Sequence, residues 1–242
     1  MFFDGLPLPR LDLPRASRAL FALLRDPDDL PQVFTLIESM SGTAPHRLLW
    51  RLGRSEEGAR LLRDEPDIVP ILADRAALRA LPAGSLGRAY LAFVESEAIS
   101  PEGIRDASSV GESGDRHQAF DYVHQRMRDT HDLWHAATGY KGDVVGELAL
   151  LAFTLAQNWN TAVAAIIVGG LFKGYGRTET RVILDGFRRG WTAAWLPAQP
   201  WESLLALPLE EVRARLKLDP PAKYTPIRTS ELRAEGLLRQ SS

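Results

Sequence analysis

The chain has 242 residues, of which 45% are hydrophobic and 25% charged, and its formal net charge is −2 at pH 7. That balance fits a globular protein, argues against disorder, and offers no basic excess with which to bind nucleic acid. Cysteine is absent, which excludes disulfides, a cysteine nucleophile and thiolate metal ligands together, so any metal must be held by nitrogen and oxygen.

No composition break divides the chain, so a single domain is expected over residues 1–242, with its core at about 14–218 and a partly ordered tail at 219–242. Met1-Phe2-Phe3-Asp4 has neither a basic start leading into a long apolar stretch nor the Arg- and Ser-rich pattern of an organelle presequence. The mature chain is therefore expected to begin here and stay inside the cell. Lysine stands only at positions 141, 173, 217 and 223, a bias toward arginine that suggests a GC-rich bacterial genome.

Apolar residues at helical spacing predict helices over 14–25, where Pro14 suits a first turn, over 28–40, and over 44–52. Ser55 caps another at 56–63, Pro66 and Pro70 bracket a turn before one at 71–81, and a further helix covers 85–99. Residues 100–115, rich in Gly, Ser and Pro, read as a surface loop. Asp115 and Gln118 have capping-box spacing and predict a helix running on to Thr138, which Gly139 ends before Asp143 caps the next. Residues 144–172 are mostly apolar, but Glu147 and Gln157-Asn158-Trp159-Asn160 interrupt them, which predicts two buried helices in place of a membrane span. A basic amphipathic helix comes next at 178–195, setting Arg177, Arg181, Arg188 and Arg189 against Val182, Leu184, Phe187 and Trp191, and a last one lies at 208–217. Trp159, Trp191, Trp195 and Trp201 are expected in the core or at an interface. No strand alternation or internal repeat is present, so the expected fold is all-α, a bundle of roughly ten helices.

Four of the five histidines fall between 117 and 135, and the chemistry concentrates at His131-Asp132-Leu133-Trp134-His135. Positions i and i+4 put both imidazoles on one helical face. Asp132 lies about 100° around the helix from His131 and about 60° from His135, near enough to be a ligand or to orient a histidine. His135 is four residues before Gly139 and Glu147 four after Asp143, so across an antiparallel hairpin their side chains stand level. Such a nitrogen–oxygen set suits a divalent metal, with zinc as the first expectation and manganese, iron or cobalt as alternatives. The bland alternative is a surface His131, a core His135 with a backbone partner, and a Glu147 favoured by the helix dipole. An unpaired Glu147 opening an apolar run would be costly, which weighs against it. His117 and His124 track the same face one and two heptads away, too far to ligate. Arg128, four residues before Asp132, is either an exposed pair worth about 0.2–0.5 kcal/mol or, if buried, an anchor for a substrate carboxylate. The spacing approaches the metalloprotease H-E-x-x-H, but Asp132 replaces its glutamate base, which disfavours a protease. A phosphohydrolase with an adjacent His-Asp pair needs further ligands not evident here.

His131-Asp132-x-x-His135, eleven residues, then Glu147 resembles the H-D-x-x-H-x11-E signature of the Coq-four family of coenzyme Q (ubiquinone) biosynthesis proteins. Leu81-Pro82-Ala83-Gly84-Ser85, Arg126-x-Arg128, Gly146-Glu147-Leu148-Ala149 and Trp201-Glu202 also resemble family segments, and the likeness runs from about residue 18 to 226. One departure is the lack of a proline in Gln157-Asn158-Trp159-Asn160-Thr161. The resemblance implies an all-α protein with His131, Asp132, His135 and Glu147 as metal ligands. It implies removal of the C1 carboxyl group from a polyprenylated 4-hydroxybenzoate-type ring, with or without coupled hydroxylation, and the apolar helices with Gly169 and Gly170 could line a groove for the prenyl tail. The implied partners are that prenylated aromatic substrate, other ubiquinone-biosynthesis proteins, a membrane surface and a second copy of the chain. The implied place is the bacterial cytoplasm, peripherally on the inner membrane. The competing expectation is a non-catalytic prenyl-lipid-binding scaffold of the same pathway, with the basic helix at 178–195 as its feature.

Overall fold

The computed structural model describes residues 11–26, 29–40, 42–100, 118–172, 175–220 and 223–234. Among these residues there are fifteen α-helices, one short 3-10 turn and no strand, so the all-α expectation holds while the helix count exceeds the expected ten. The first four agree closely with the sequence: α1 (Leu13–Arg25), α2 (Leu30–Met40), α3 (Ala44–Gly53) and α4 (Glu56–Asp64). Ser55 accepts from the Gly58 N–H, so its expected capping role is realised.

The extra helices come from breaks that periodicity does not register. The helix expected at 71–81 is two, α5 (Val69–Ala73) and α6 (Arg75–Ala80), because Asp74 leaves helical geometry and its carboxylate accepts from the Ala77 N–H. After α7 (Leu86–Glu97) the expected helix ending at Thr138 is also two, α8 (Gln118–Asp129) and α9 (His131–Thr138). The break is Thr130, whose hydroxyl donates at 2.8 Å to the Arg126 carbonyl that its own N–H also reaches at 3.0 Å, so that carbonyl is shared at the bend. The capping box at 115–118 and nearly all of the loop at 100–115 lie outside the described residues.

The apolar stretch forms α10 (Val144–Asn158) and α11 (Thr161–Leu171). Their junction needs no proline: Trp159 takes the left-handed conformation at φ 53°, and Asn160 caps α11 by accepting from the Ala162 N–H. Gln157, inside this apolar run, is buried because its side chain ties α10 to two distant backbone groups, donating to the Gly190 carbonyl and accepting from the Leu196 N–H. No helix among the described residues is long and apolar enough to cross a membrane. Chain order continues with α12 (Arg177–Thr192), a 3-10 turn (Leu196–Ala198), α13 (Trp201–Leu204), α14 (Leu209–Leu216) and α15 (Thr229–Ala234). An isolated antiparallel bridge joins Ser85 to Pro208.

The core is built on α10 against α12. A Cβ on Gly186 would lie 2.2 Å from the Ala149 carbonyl oxygen, and one on Gly190 2.3 Å from that of Phe153, so both glycines admit α10 backbone where a side chain would stand. Trp134 of α9 meets Phe153 edge to face, completing the wall behind the hairpin. A second cluster joins α3, α4 and α8, and a third joins α1, α2 and α11. Gly169 and Gly170, expected to open a groove, instead admit close neighbours: Leu20 and Leu24 lie against the first, Leu148 against the second.

Arg189, assigned to the basic face from its spacing, is 2% exposed. Its guanidinium donates to the carbonyls of Thr138 and Asp219 and lies over the Tyr140 ring, because α12 turns that side toward the C-terminus of α9. Trp201 is core as expected, whereas Trp159 and Trp191 face solvent.

Adding a methyl group at residue 190 forces α10 and α12 apart. Gly190→Ala is expected to lower stability by about 1–3 kcal/mol, read as a lower urea midpoint at unchanged m-value; an unchanged midpoint would show that the helix contact yields freely.

Candidate metal centre

Four local events place the site. Thr130 restarts the helix so that His131 is the first residue of α9, Gly139 at φ 82° ends it, Asp143 caps α10, and Glu147 comes one turn later. The hairpin then sets Glu147 opposite both histidines: His135 Nε2 is 3.2 Å from Glu147 Oε1, and His131 Nε2 is 3.8 Å from Oε2. Ligand-capable atoms of His131, His135 and Glu147 lie within 4.8 Å of one another. The two rings meet edge to face at 4.8 Å, and Phe93 of α7 stacks on His135 at 13° between planes, fixing that ring's orientation.

The other ring nitrogens decide the tautomers. His135 Nδ1 is 3.1 Å from the Tyr140 carbonyl, which can only accept, so Nδ1 carries the proton. In the neutral ring Nε2 then presents a bare lone pair. This atom is buried, lacks a hydrogen-bond partner, and faces a carboxylate oxygen. Two electron-rich atoms at that distance repel unless a cation stands with them, so the donor set fits a divalent metal held by nitrogen and oxygen. His131 repeats the pattern, with Nδ1 3.3 Å from Asp132 Oδ1 and Nε2 toward Glu147. Asp132, read from the sequence as ligand or orienter, stands behind His131 on its far nitrogen while the other three converge, which is where a carboxylate orients a ligating histidine. The bland expectation was partly met as well: His135 is a core residue with a backbone partner, and that partner turns its other nitrogen toward Glu147.

The centre opens to solvent on one side. The His135 side chain is fully buried, while those of His131 and Glu147 are 35% and 42% exposed. Burial pulls the His131 pKa down, but the hydrogen bond to Asp132 and the charges of Glu147 and Asp132 outweigh it, and the net shift is upward. For Glu147 burial pushes the pKa up; when the imidazoles facing it are protonated, as a metal-free site allows, the charge and hydrogen bond of His135 together with the charge of His131 bring it below its ordinary value.

Arg128 reaches Asp129, with 2.9 Å between Nε and Oδ1 and both side chains buried. The exposed Arg128–Asp132 pair weighed from spacing gives way to this buried one. Arg126 makes a two-pronged pair with Glu202, joining two segments far apart in sequence. Burial would raise the Glu202 pKa, but hydrogen bonding and charge from Arg126 hold it below the usual range. His124 lies on α8 outside the converging group, and His117 lies outside the described residues. The supporting roles of the Tyr140 carbonyl, Phe93, Arg189 and Arg213, which donates to the Ala137 carbonyl at 2.9 Å, are not legible in the sequence. Only Gly139, which turns the chain so that Tyr140 can face back to His135, gave a signal.

The sequence matches the family described as "Coenzyme Q (ubiquinone) biosynthesis protein Coq4" over residues 11–222, and the chain belongs to that family. "Ubiquinone biosynthesis protein coq4, mitochondrial" of Botryotinia fuckeliana is 33% identical over 189 residues, covering 77% of this chain and 66% of the relative. "Ubiquinone biosynthesis protein COQ4 homolog, mitochondrial" of Mus musculus is 29% identical over 185 residues, covering 72% and 65% respectively. The chain thus spans just under two thirds of the length of these relatives. A crystal structure of a Nostoc punctiforme PCC 73102 protein, whose name assigns it to ubiquinone biosynthesis, shares the fold: its TM-score is 0.65 at 22% identity, over 86% of this chain and 99% of that one.

The two shifted groups give opposite pH limbs in the metal-free chain. The His131 contribution is complete below the ordinary imidazole pKa of about 6.5 and fades as pH rises through the raised folded value. The Glu147 contribution is complete above the ordinary carboxylate value and fades as pH falls through the lowered one. In chelator-treated protein, the stability difference between wild type and His131→Gln should therefore shrink above about pH 6.5. A difference constant across pH in urea titrations would refute the pairing.

Proposed function

We propose that this chain is a metal-dependent lyase of ubiquinone biosynthesis, removing the C1 carboxyl group of a polyprenylated 4-hydroxybenzoate-type ring. The observation that carries the metal part is the buried, unpartnered His135 Nε2 aimed at Glu147. Membership of the ubiquinone-biosynthesis family carries the pathway. His131, His135 and Glu147 hold the ion, and Asp132 and the Tyr140 carbonyl, each on the far nitrogen of its histidine, keep both imidazoles in the ligating tautomer. A bound divalent ion, zinc first and iron, manganese or cobalt as alternatives, supplies a Lewis acid for a carboxylate or phenolate oxygen.

In the reaction the bond from C1 to the carboxyl carbon breaks, carbon dioxide leaves, and C1 takes up one proton. The half-exposed mouth beside Glu147 admits that proton from water. A coupled form that leaves a hydroxyl at C1 requires an oxidant such as dioxygen as a further substrate. Arg128, buried against Asp129 three residues before His131, is the candidate anchor for the substrate carboxylate. The proposed setting is peripheral, on the inner membrane of a bacterium and beside other ubiquinone-biosynthesis proteins.

A second reading, a non-catalytic prenyl-lipid-binding scaffold, is favoured by one observation. Trp159, Phe187 and Trp191 pack on one another around a surface that also exposes Arg188. Such a face suits a lipid or protein surface, and Arg189, being buried, takes no part in it.

Elemental analysis of the purified chain is expected to find about one divalent ion per molecule. His135→Ala should lose it and lower carbon dioxide release from a prenylated 4-hydroxybenzoate by roughly a hundredfold or more. Full turnover in metal-free protein would sink the lyase reading. Ligand variants that sustain ubiquinone synthesis in cells, together with an Arg188→Glu variant that does not, would favour the scaffold.

A further inference from the structure

Residues 223–228 lie beyond position 222, where the family match ends, yet they bind the head of the site hairpin. The Tyr224 hydroxyl donates to Asp143 Oδ2 at 2.7 Å and accepts from the Lys141 N–H at 3.3 Å. The Ile227 N–H donates to Asp143 Oδ1 at 3.0 Å, and the Ile227 carbonyl accepts from the Val144 N–H, also at 3.0 Å. Farther out, Arg228 pairs with Glu97 of α7 at 3.1 Å. The Asp143 carboxylate, 3% exposed, also accepts from the Val145 N–H at 3.1 Å as the cap of α10. Its two oxygens thus receive three donors, two of them from this strap. Gly146 lies at the same junction: a Cβ there would stand 2.1 Å from the Lys141 carbonyl oxygen and 2.6 Å from the Tyr224 hydroxyl.

A helix N-terminus leaves its first N–H groups without intrahelical partners and is the part that frays first. Here the first turn of α10 is tied from outside, and Glu147 stands directly on that turn, its N–H bonded to the Asp143 carbonyl at 2.8 Å. Any rotation of that turn moves the Glu147 carboxylate relative to two histidines carried by another helix.

We infer that the C-terminal strap, acting through Tyr224 on Asp143, positions Glu147 against His131 and His135 and so sets the metal affinity of the centre. The inference rests on the metal-binding reading above. Tyr224 touches none of the three converging side chains and is a positioning residue.

The test uses the full-length chain and zinc, titrated in competition with a chromophoric chelator, for wild type, Tyr224→Phe and Leu23→Ala. Leu23 belongs to the separate core of α1, α2 and α11, so its truncation lowers stability away from the hairpin. Tyr224→Phe removes only the hydroxyl and is expected to weaken zinc binding by about tenfold, while Leu23→Ala unfolds more readily and keeps wild-type affinity. Wild-type affinity in Tyr224→Phe, or an equal loss in Leu23→Ala, overturns the positioning role and leaves the metal reading standing. A wild-type chain that takes up none of zinc, ferrous iron, manganese or cobalt in the same titration overturns the metal reading, and the role of the strap with it.

Discussion

The centre depends on a proton held on the wrong side of His135 for a hydrogen bond to Glu147. With Nδ1–H committed to the Tyr140 carbonyl, the neutral ring can offer Glu147 only a lone pair. Burial removes the water that would otherwise relieve the contact, since the His135 side chain has no exposed surface. Much of the surrounding structure can be understood as holding this unfavourable approach in place: Phe93 stacks on the ring, Gly139 bends the chain so that the carbonyl arrives, and the hairpin brings up the carboxylate.

That hairpin is braced at its C-terminal carbonyls and at its head. Arg189 and Arg213 donate to the Thr138 and Ala137 carbonyls, placing cations where the α9 dipole is negative. Asp143 caps α10 from within and is gripped from without by Tyr224 and Ile227. Behind both, the glycines of α12 let its backbone touch that of α10, so the helix carrying Glu147 rests on a rigid neighbour. The site is accordingly carried by packed helices and capped ends, the kind of support that keeps ligand atoms in place when the ligand is removed.

Much of this was legible in the sequence, and the features that escaped did so for identifiable reasons. The i, i+4 spacing of His131 and His135, the Gly139 stop, the Asp143 cap and the level position of Glu147 are all local, and the convergence arises from them. The break at Thr130 is invisible to periodicity because the backbone bonds across it persist and the hydroxyl only adds to the Arg126 carbonyl, which leaves the apolar period almost unchanged. Asp74 divided a helix for a similar reason, its carboxylate capping a turn inside an apparently continuous pattern. Arg189 was placed outside because periodicity assigns a charged residue to solvent unless a partner is known, and its partners, at 138 and 219, are distant in sequence.

By itself the sequence determined the helical class, the cysteine-free donor chemistry and the three side chains that meet, since each depends on residue type and on spacings within a single hairpin. Tertiary structure alone decided which nitrogen of each histidine faces Glu147, that Asp132 stands behind His131, that Arg128 lies against Asp129, and that the tail returns to Asp143. Those outcomes turn on the directions of single bonds and on contacts between segments up to 84 residues apart, as between Ile227 and Asp143. Periodicity carries no information about either.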